Sequence, residues 1–375
     1  MARALLCLLL LCAACATPAS SQLATPEPSE AWITLAQAQQ ADAPALVATD
    51  GALLAVWVGA DDRGVHQDAR RITPGGLGDV VTLPLPPTHP YDQRLFPGDS
   101  VTHLLWLDAD ETNQTRLYAA LLAPDLTVER GPVAVSDGLA LDYAAIPDGS
   151  GGLWAAWSGG LLAEMTLYAR RIDDAGRPLI DTITVAAAAE HPALLRTAPG
   201  EIWLFWLEDG QVMRQRLDPS DDSGAQALTG AVSLSSGDRL VNVSAGLDRS
   251  SAYFFWNITR ADGSNETSLA FGSLAATAWR QPRRLQISAG TTLDLRWAMP
   301  LTGASDLLTA VAESDAGLSL ITLSAGTIVG YRTVAPGEHL IGTPALAQDA
   351  AGSLYLAWAS PGDTSAALRL LHLQP

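Results

Sequence analysis

Asp148-Gly149-Ser150-Gly151-Gly152-Leu153-Trp154-Ala155-Ala156-Trp157, followed by Leu167-Tyr168-Ala169-Arg170-Arg171-Ile172-Asp173, is the stretch that decides the fold. Asp-Gly tolerates positive φ and marks a tight hairpin turn. The run ending in Trp157 is apolar at consecutive positions, which predicts a strand buried on both faces. Leu167 to Ile172 alternates, as a partner strand does, and Asp173-Asp174-Ala175-Gly176 supplies the next turn. The same wording recurs at Leu53 to Trp57, Leu104 to Trp106, Ile202 to Trp206, Tyr253 to Trp256 and Leu354 to Trp358. The terminal tryptophans fall about 50 residues apart, apart from a last step of about twice that length. Leu307-Leu308-Thr309-Ala310-Val311 fills the missing place without a tryptophan, so the chain holds seven copies.

Each copy reads as four antiparallel strands. Third strands are expected at Leu117 to Leu121, Val212 to Leu217 and Leu318 to Leu323. Fourth strands are expected at Val80 to Leu85, Val133 to Ser136, Thr182 to Val185, Val232 to Leu234 and Arg284 to Ile287. A lone four-stranded sheet cannot cover both faces of its second strand, whereas sheets stacked radially can. The sequence therefore predicts an all-β fold, a seven-bladed β-propeller over residues 31–375. The seventh copy lacks a fourth strand, and Trp32-Ile33-Thr34-Leu35-Ala36 has the character to supply it and fasten the ring. The repeat wording of copies one, three and seven resembles that of secreted bacterial tandem-repeat propeller proteins, a resemblance that implies fold, export and repetition but no activity. The arginine pairs Arg70-Arg71 and Arg170-Arg171 are expected to lie along solvent on third strands, where neighbouring acids can pair with them.

The N-terminus reads as an address. Arg3 precedes a short apolar run from Ala4 to Cys12, too short to span a bilayer. Cys12-Ala13-Ala14-Cys15 resembles the lipobox of bacterial lipoproteins, with Cys12 standing where that motif usually has Leu. The resemblance implies a signal peptide over 1–15, lipidation at Cys15, and a protein held in the cell envelope by its lipid; plain secretion is the alternative. Residues 16–30, rich in Ala, Ser, Thr and Pro, read as a tether. All three cysteines lie within this leader, so the body has no thiol chemistry. A net charge of -18 argues against nucleic acid as a partner. The membrane contact is expected through the lipid anchor alone.

No hydrolase elbow, zincin helix, phosphate loop or EF-hand loop occurs. Two constellations remain. An acid precedes the first strand in six copies: Asp42, Asp92, Asp142, Glu190, Asp238 and Asp294. At one end of a propeller channel these would form a collar able to take a cation such as Ca2+; no other cofactor is expected. At the same rim His89, Tyr91, Arg94, Tyr143 and His191 mix aromatic, basic and imidazole groups suited to a protein, peptide or glycan ligand. The leading expectation is a non-enzymatic, surface-anchored binding or scaffold protein. The alternative is an extracytoplasmic carbohydrate-active hydrolase or lyase.

Overall fold

The computed structural model describes residues 32–373 apart from 39, 63, 87–88, 110–111, 113, 161–164, 219–223, 229–233, 277, 288–294, 296, 302–305 and 363–364. The expected signal peptide, Cys15, the tether and Asp294 lie outside the described residues. Seven antiparallel sheets, one per copy, form the propeller that the repeat predicts. Blade 3 is representative: Asp142–Pro147, Leu153–Gly159, Thr166–Ile172 and Ile183–Ala187 run from the channel outward.

The tryptophan strands sit second in each blade and are buried on both faces, as their unbroken apolar runs require. Trp57, Trp106, Trp157, Trp206, Trp256 and Trp358 are all at most 2% exposed. Each joins the core shared with the preceding blade. Trp157 packs with Leu105, Leu107 and Leu117 of blade 2, and Trp358 packs with Val311 and Leu318 of blade 6. Between blades 5 and 6, where the tryptophan is missing, Tyr253, Phe255 and Phe271 of blade 5 reach forward against Ala310. The indole N–H groups that lie at an end of the core find carboxylates: Trp106 donates to Asp108 Oδ2 at 3.2 Å, Trp206 to Glu208 Oε2 at 2.9 Å, and Trp358 to Glu338 Oε2 at 3.0 Å.

The ring closes as expected. Ile33–Ala38 pairs antiparallel with Ala366–Leu373, from Ile33↔Leu370 to Ala38↔Ala366, with a register shift between Thr34 and Ala36. Leu35 is buried in the core that blade 7 shares with Trp57 of blade 1. Trp32 meets Trp358 edge-on at 6.1 Å.

Two expectations need correction. Arg70 and Arg170 do not lie along solvent. Arg170 is 7% exposed and donates to the Val135 carbonyl of blade 2 at 2.7 Å while pairing with Asp137. Arg70 donates likewise to the Leu35 carbonyl of the closing strand. In blades 1 and 3 the third-strand arginine thus bonds to the blade before, whereas Arg214 of blade 4 donates to the Leu274 and Ala276 carbonyls of blade 5. The fourth strand of blade 4 is Gln226–Ala227, not Val232 to Leu234; residues 232–233 are outside the described set and Leu234 is exposed and outside any strand. Trp279 from blade 5 packs against Phe205 at 5.7 Å and covers this short edge.

Replacing Trp157 by Ala is expected to cost about 3–5 kcal/mol of stability, because the cavity it leaves is walled by two sheets that cannot collapse together. Urea unfolding of the variant measures this; a loss below about 1 kcal/mol would show that the indole is not the wedge between blades.

Candidate functional site

The first strands of the blades line the channel, and at the end where they begin a cavity of about 580 Å3 opens. Blades 1, 2 and 3 give it Asp42, Asp92 and Asp142; Tyr91, Arg94, Tyr143 and His191 stand among them. The described lining residues from blades 5 and 7 are neutral, Val241, Asn242, Ser244, Gly342 and Thr343, with Gly342 lying beside Asp42. Among the described residues, the ionisable groups of the cavity come from blades 1 to 4.

Local backbone explains how these side chains reach the channel. The first strands of blades 2, 4 and 7 carry irregular registers near Tyr91/Arg94, Glu190/Ala193 and Ile341/Ala345. At these kinks Asp92 has φ +46 and His191 φ +53, left-handed values that cost a residue with a Cβ. Blade 7 has Gly342 there, at φ +69, and presents no side chain. Two blades thus hold ionisable residues in a conformation that glycine would fill more cheaply.

The hydrogen bonds tie these groups together. Asp42 Oδ2 accepts from the Asp92 amide at 2.8 Å, and its Oδ1 accepts from the Ala43 amide at 2.8 Å. The Tyr143 hydroxyl donates to the Asp92 carbonyl at 2.7 Å. The Asp92 peptide is thereby gripped from both sides. The Asp92 side chain takes Arg94 in a fork, Nε at 3.2 Å and Nη2 at 2.9 Å, and the guanidinium lies 4.5 Å over the Tyr143 ring. Across from them His191 Nδ1 meets Asp142 Oδ2 at 2.5 Å, while the other oxygen of Asp142 accepts from Ser158 Oγ.

Burial works against protonation of His191, but the Asp142 hydrogen bond and charge, helped by Glu190, outweigh it and raise the imidazole above its ordinary value. Burial pushes the Tyr143 phenol well up, and the Asp92 charge adds to that. Burial also raises Tyr91, which donates to Thr115 Oγ1 at 3.2 Å. Both phenols stay protonated near neutrality. Arg94 stays charged, since Asp92 and Tyr143 more than offset its burial. Gln93, 5% exposed, accepts from Gln67 at 3.1 Å and leaves its Nε2 without a hydrogen-bond partner.

Of the expected collar, Asp42, Asp92 and Asp142 come together. Glu190 is exposed beside His191 and is not part of the wall. Asp238 does not reach the cavity; it is bound by Arg260 Nη1 at 2.6 Å and by the Ser235 and Ala261 amides. Among the described residues the acids that meet at the cavity are those of blades 1 to 3, and their carboxylates are bonded to chain partners. Among the described residues no group of three or more His, Cys, Asp or Glu side chains is placed to hold a metal ion. Of the expected rim, Tyr91, Arg94, Tyr143 and His191 line the cavity, and His89 is exposed outside it, its amide held by Asp108 at 3.0 Å. The sequence reading missed Ser158, which carries no motif, and the pairing of His191 with Asp142, which lies across blades.

No protein-family model matches the sequence, and no curated protein matches it. Solved structures do. The chain is similar to the polysaccharide lyase Uly1, at 12% identity and a TM-score of 0.57, over 88% of this chain and 90% of that one. An endo-arabinase from Bacteroides thetaiotaomicron is found at 9% identity and TM-score 0.46, over 93% and 98% of the two chains. The GH43_1 enzyme from Xanthomonas citri is found at 13% and 0.40, over 68% and 94%. These likenesses bear on the fold. The leading expectation of a non-enzymatic scaffold is corrected by the overlap with the polysaccharide lyase alone, which favours the carbohydrate-active alternative over it.

His191 should titrate above the ordinary histidine value in the folded protein. Asp142→Asn should bring it below that value, since burial then acts almost alone. NMR titration of the imidazole reads both; an unmoved His191 in the variant would dismiss the pair as an electrostatic unit.

Proposed function

We propose that the chain is a carbohydrate-active enzyme of the cell envelope that cleaves a uronate-bearing polysaccharide by elimination at the channel mouth. The observation that carries this reading is the His191–Asp142 pair opening on the cavity that also holds Arg94 and Tyr91. With Nδ1 held by Asp142, His191 has Nε2 left to exchange a proton with a ligand. The two-carboxylate route of glycoside hydrolysis needs a free acid and a free base. Asp42, Asp92 and Asp142 are each committed to amides, Arg94, or His191 with Ser158. The overlap with a polysaccharide lyase supports the same choice.

In this reading Arg94, which spends Nε and Nη2 on Asp92, offers Nη1 to the sugar carboxylate and so acidifies the neighbouring carbon. Neutral His191 takes the C5 proton through Nε2. The electron pair forms a C4–C5 double bond, the C4–O bond breaks, and the leaving oxygen takes a proton from the Tyr91 phenol. The products are a new non-reducing end bearing the double bond and a chain with a free hydroxyl.

A base must be unprotonated. Because the folded protein raises the His191 pKa, activity should climb as pH rises from the ordinary histidine range through that higher value. Incubation with a panel of acidic and neutral polysaccharides, read in parallel by the ultraviolet absorbance of the unsaturated product and by reducing ends, tests the reading. His191→Ala should lower kcat by about 10²–10⁴-fold. Reducing ends without ultraviolet product, or a rate falling over the same pH range, would replace elimination by hydrolysis with His191 as the acid.

The envelope address rests on the lipobox resemblance at Cys15, and no helix among the described residues is long and apolar enough to cross a membrane. Cys15→Ser should abolish labelling by a palmitate analogue in a bacterial host and move the protein from the membrane to the soluble fraction; unchanged membrane attachment would rule out the lipid anchor.

A further inference from the structure

The face opposite the channel mouth carries a second cavity, of about 630 Å3, in the crevice between blades 7 and 1. Its floor is Ile33, Leu53, Ile72 and Leu370. On it stand the rings of Tyr355 and His372, stacked at 4.7 Å and 14°. Asp50 and Asp349 lie at its margin, in the turns after the first strands of blades 1 and 7.

Blade 5 contains the same arrangement. Tyr253 and Phe271 pair across the second and third strands, as Tyr355 and His372 do, and stack at 5.5 Å and 13°. Tyr253 donates to Asp248 Oδ2 at 2.7 Å, as Tyr355 does to Asp349 Oδ2 at 3.3 Å. In blade 5 the stack is covered. The turn of blade 6 at Gly326 presses on Phe271 so closely that a Cβ there would sit 2.3 Å from the ring. Two guanidinium groups lie over the same ring, Arg280 at 5.2 Å and Arg283 at 5.3 Å. Tyr253 is 0% and Phe271 5% exposed.

Blade 7 departs at one decisive position. Arg283 pairs with Leu269 in blade 5; the matching place opposite Leu370 is Ile33. The fourth strand of blade 7 comes from the N-terminal segment, so no hairpin joins it to the third strand. The neighbouring turn of blade 1, Thr73-Pro74, borders the cavity without filling it. His372 is exposed, and Tyr355 is only half-buried. Burial opposes ionisation of Asp349, but the Ser353 and Ala351 amides outweigh it and hold the carboxyl below its ordinary value.

We propose that this crevice is a binding site for an arginine side chain of a basic partner segment, which stacks its guanidinium on the Tyr355–His372 pair between Asp50 and Asp349. Blade 5 shows, within the same chain, which group such a stack takes when it is covered. Arginine suits the site better than lysine because its planar cation stacks while its alkyl stem lies on the apolar floor. The charge of -18 draws basic segments towards the protein as a whole. The site is independent of the polysaccharide reading.

The test uses the mature protein and three short capped peptides that differ only at one residue: arginine, lysine or citrulline. Calorimetry and the ring proton shifts of Tyr355 and His372 report binding. The arginine peptide should bind about tenfold more tightly than the citrulline peptide, the cation–π and ion-pair contributions being lost with the charge. Ile33→Arg should place the chain's own guanidinium over the stack, as Arg283 is placed in blade 5, and abolish binding. Asp50→Asn, in an exposed turn, should weaken binding about threefold with an unchanged melting temperature. Equal affinity for arginine and citrulline, no binding of the arginine peptide at millimolar concentration, or undiminished binding by Asp50→Asn overturns the proposal.

Discussion

The burial of each second strand between two sheets is the constraint from which the remainder of the structure follows. A strand apolar on both faces has no solution inside one blade, since each blade is a single layer. It must be covered by the neighbouring blades, and a row of such sheets leaves a bare face at either end. Only closure removes both. The strand at Ile33–Ala38 is thus a requirement of the repeat itself: it completes blade 7, and its Leu35 fills the same core as Trp57. Polar bonds follow the same lines, because Arg70 and Arg170 reach the outer strand of the blade before and satisfy carbonyls there.

Closure also explains where chemistry can sit. The sheets converge at the channel, so residues near the start of the first strands are brought together from distant points in sequence. Asp92 and His191 arrive by kinks at left-handed φ, with the backbone held by Asp42 and Tyr143 in one case and the side chain by Asp142 in the other. The rigid stacked core stabilises conformations that a loop on its own would not keep. Among the described residues, blades 1 to 4 spend these positions on ionisable groups, while blades 5 and 7 spend them on neutral ones.

The fold was legible because its signal is repeated and one-dimensional. Seven apolar runs, their turns and the orphan strand at Trp32 to Ala36 were enough to place every second strand and the closure. The fourth strands were less so, since an outer edge is held by one neighbour only and its sequence is correspondingly free; Gln226–Ala227 has no apolar pattern to read. That Asp42, Asp92 and Asp142 meet at one end of the channel was legible, since they occupy equivalent positions. Asp238 shows why equivalence was insufficient: Arg260 and two amides offer its carboxylate better partners than the channel does. Hydrogen bonding between blades is a property of two side-chain directions at once, and spacing along one chain does not encode it.

Departures from the repeat carry the individuality of this protein. Where the tryptophan of blade 6 is lost, the aromatic residues of blade 5 move in to keep the core dense. Where the fourth strand of blade 7 is supplied from the other end of the chain, the hairpin that would accompany it is lost, and no described residue takes its place; a cavity with an aromatic stack and carboxylates at its margin remains. The two outcomes differ for a physical reason. A gap inside the ring is sealed from water, so its lining gains by collapsing on itself or recruiting neighbours. A gap at the seam is open to solvent, polar groups there can stay hydrated, and nothing forces the sheets to fill it. Seams of closed repeats are therefore places where a binding surface costs little stability, in contrast to the channel mouth, where side chains are held at strained backbone positions.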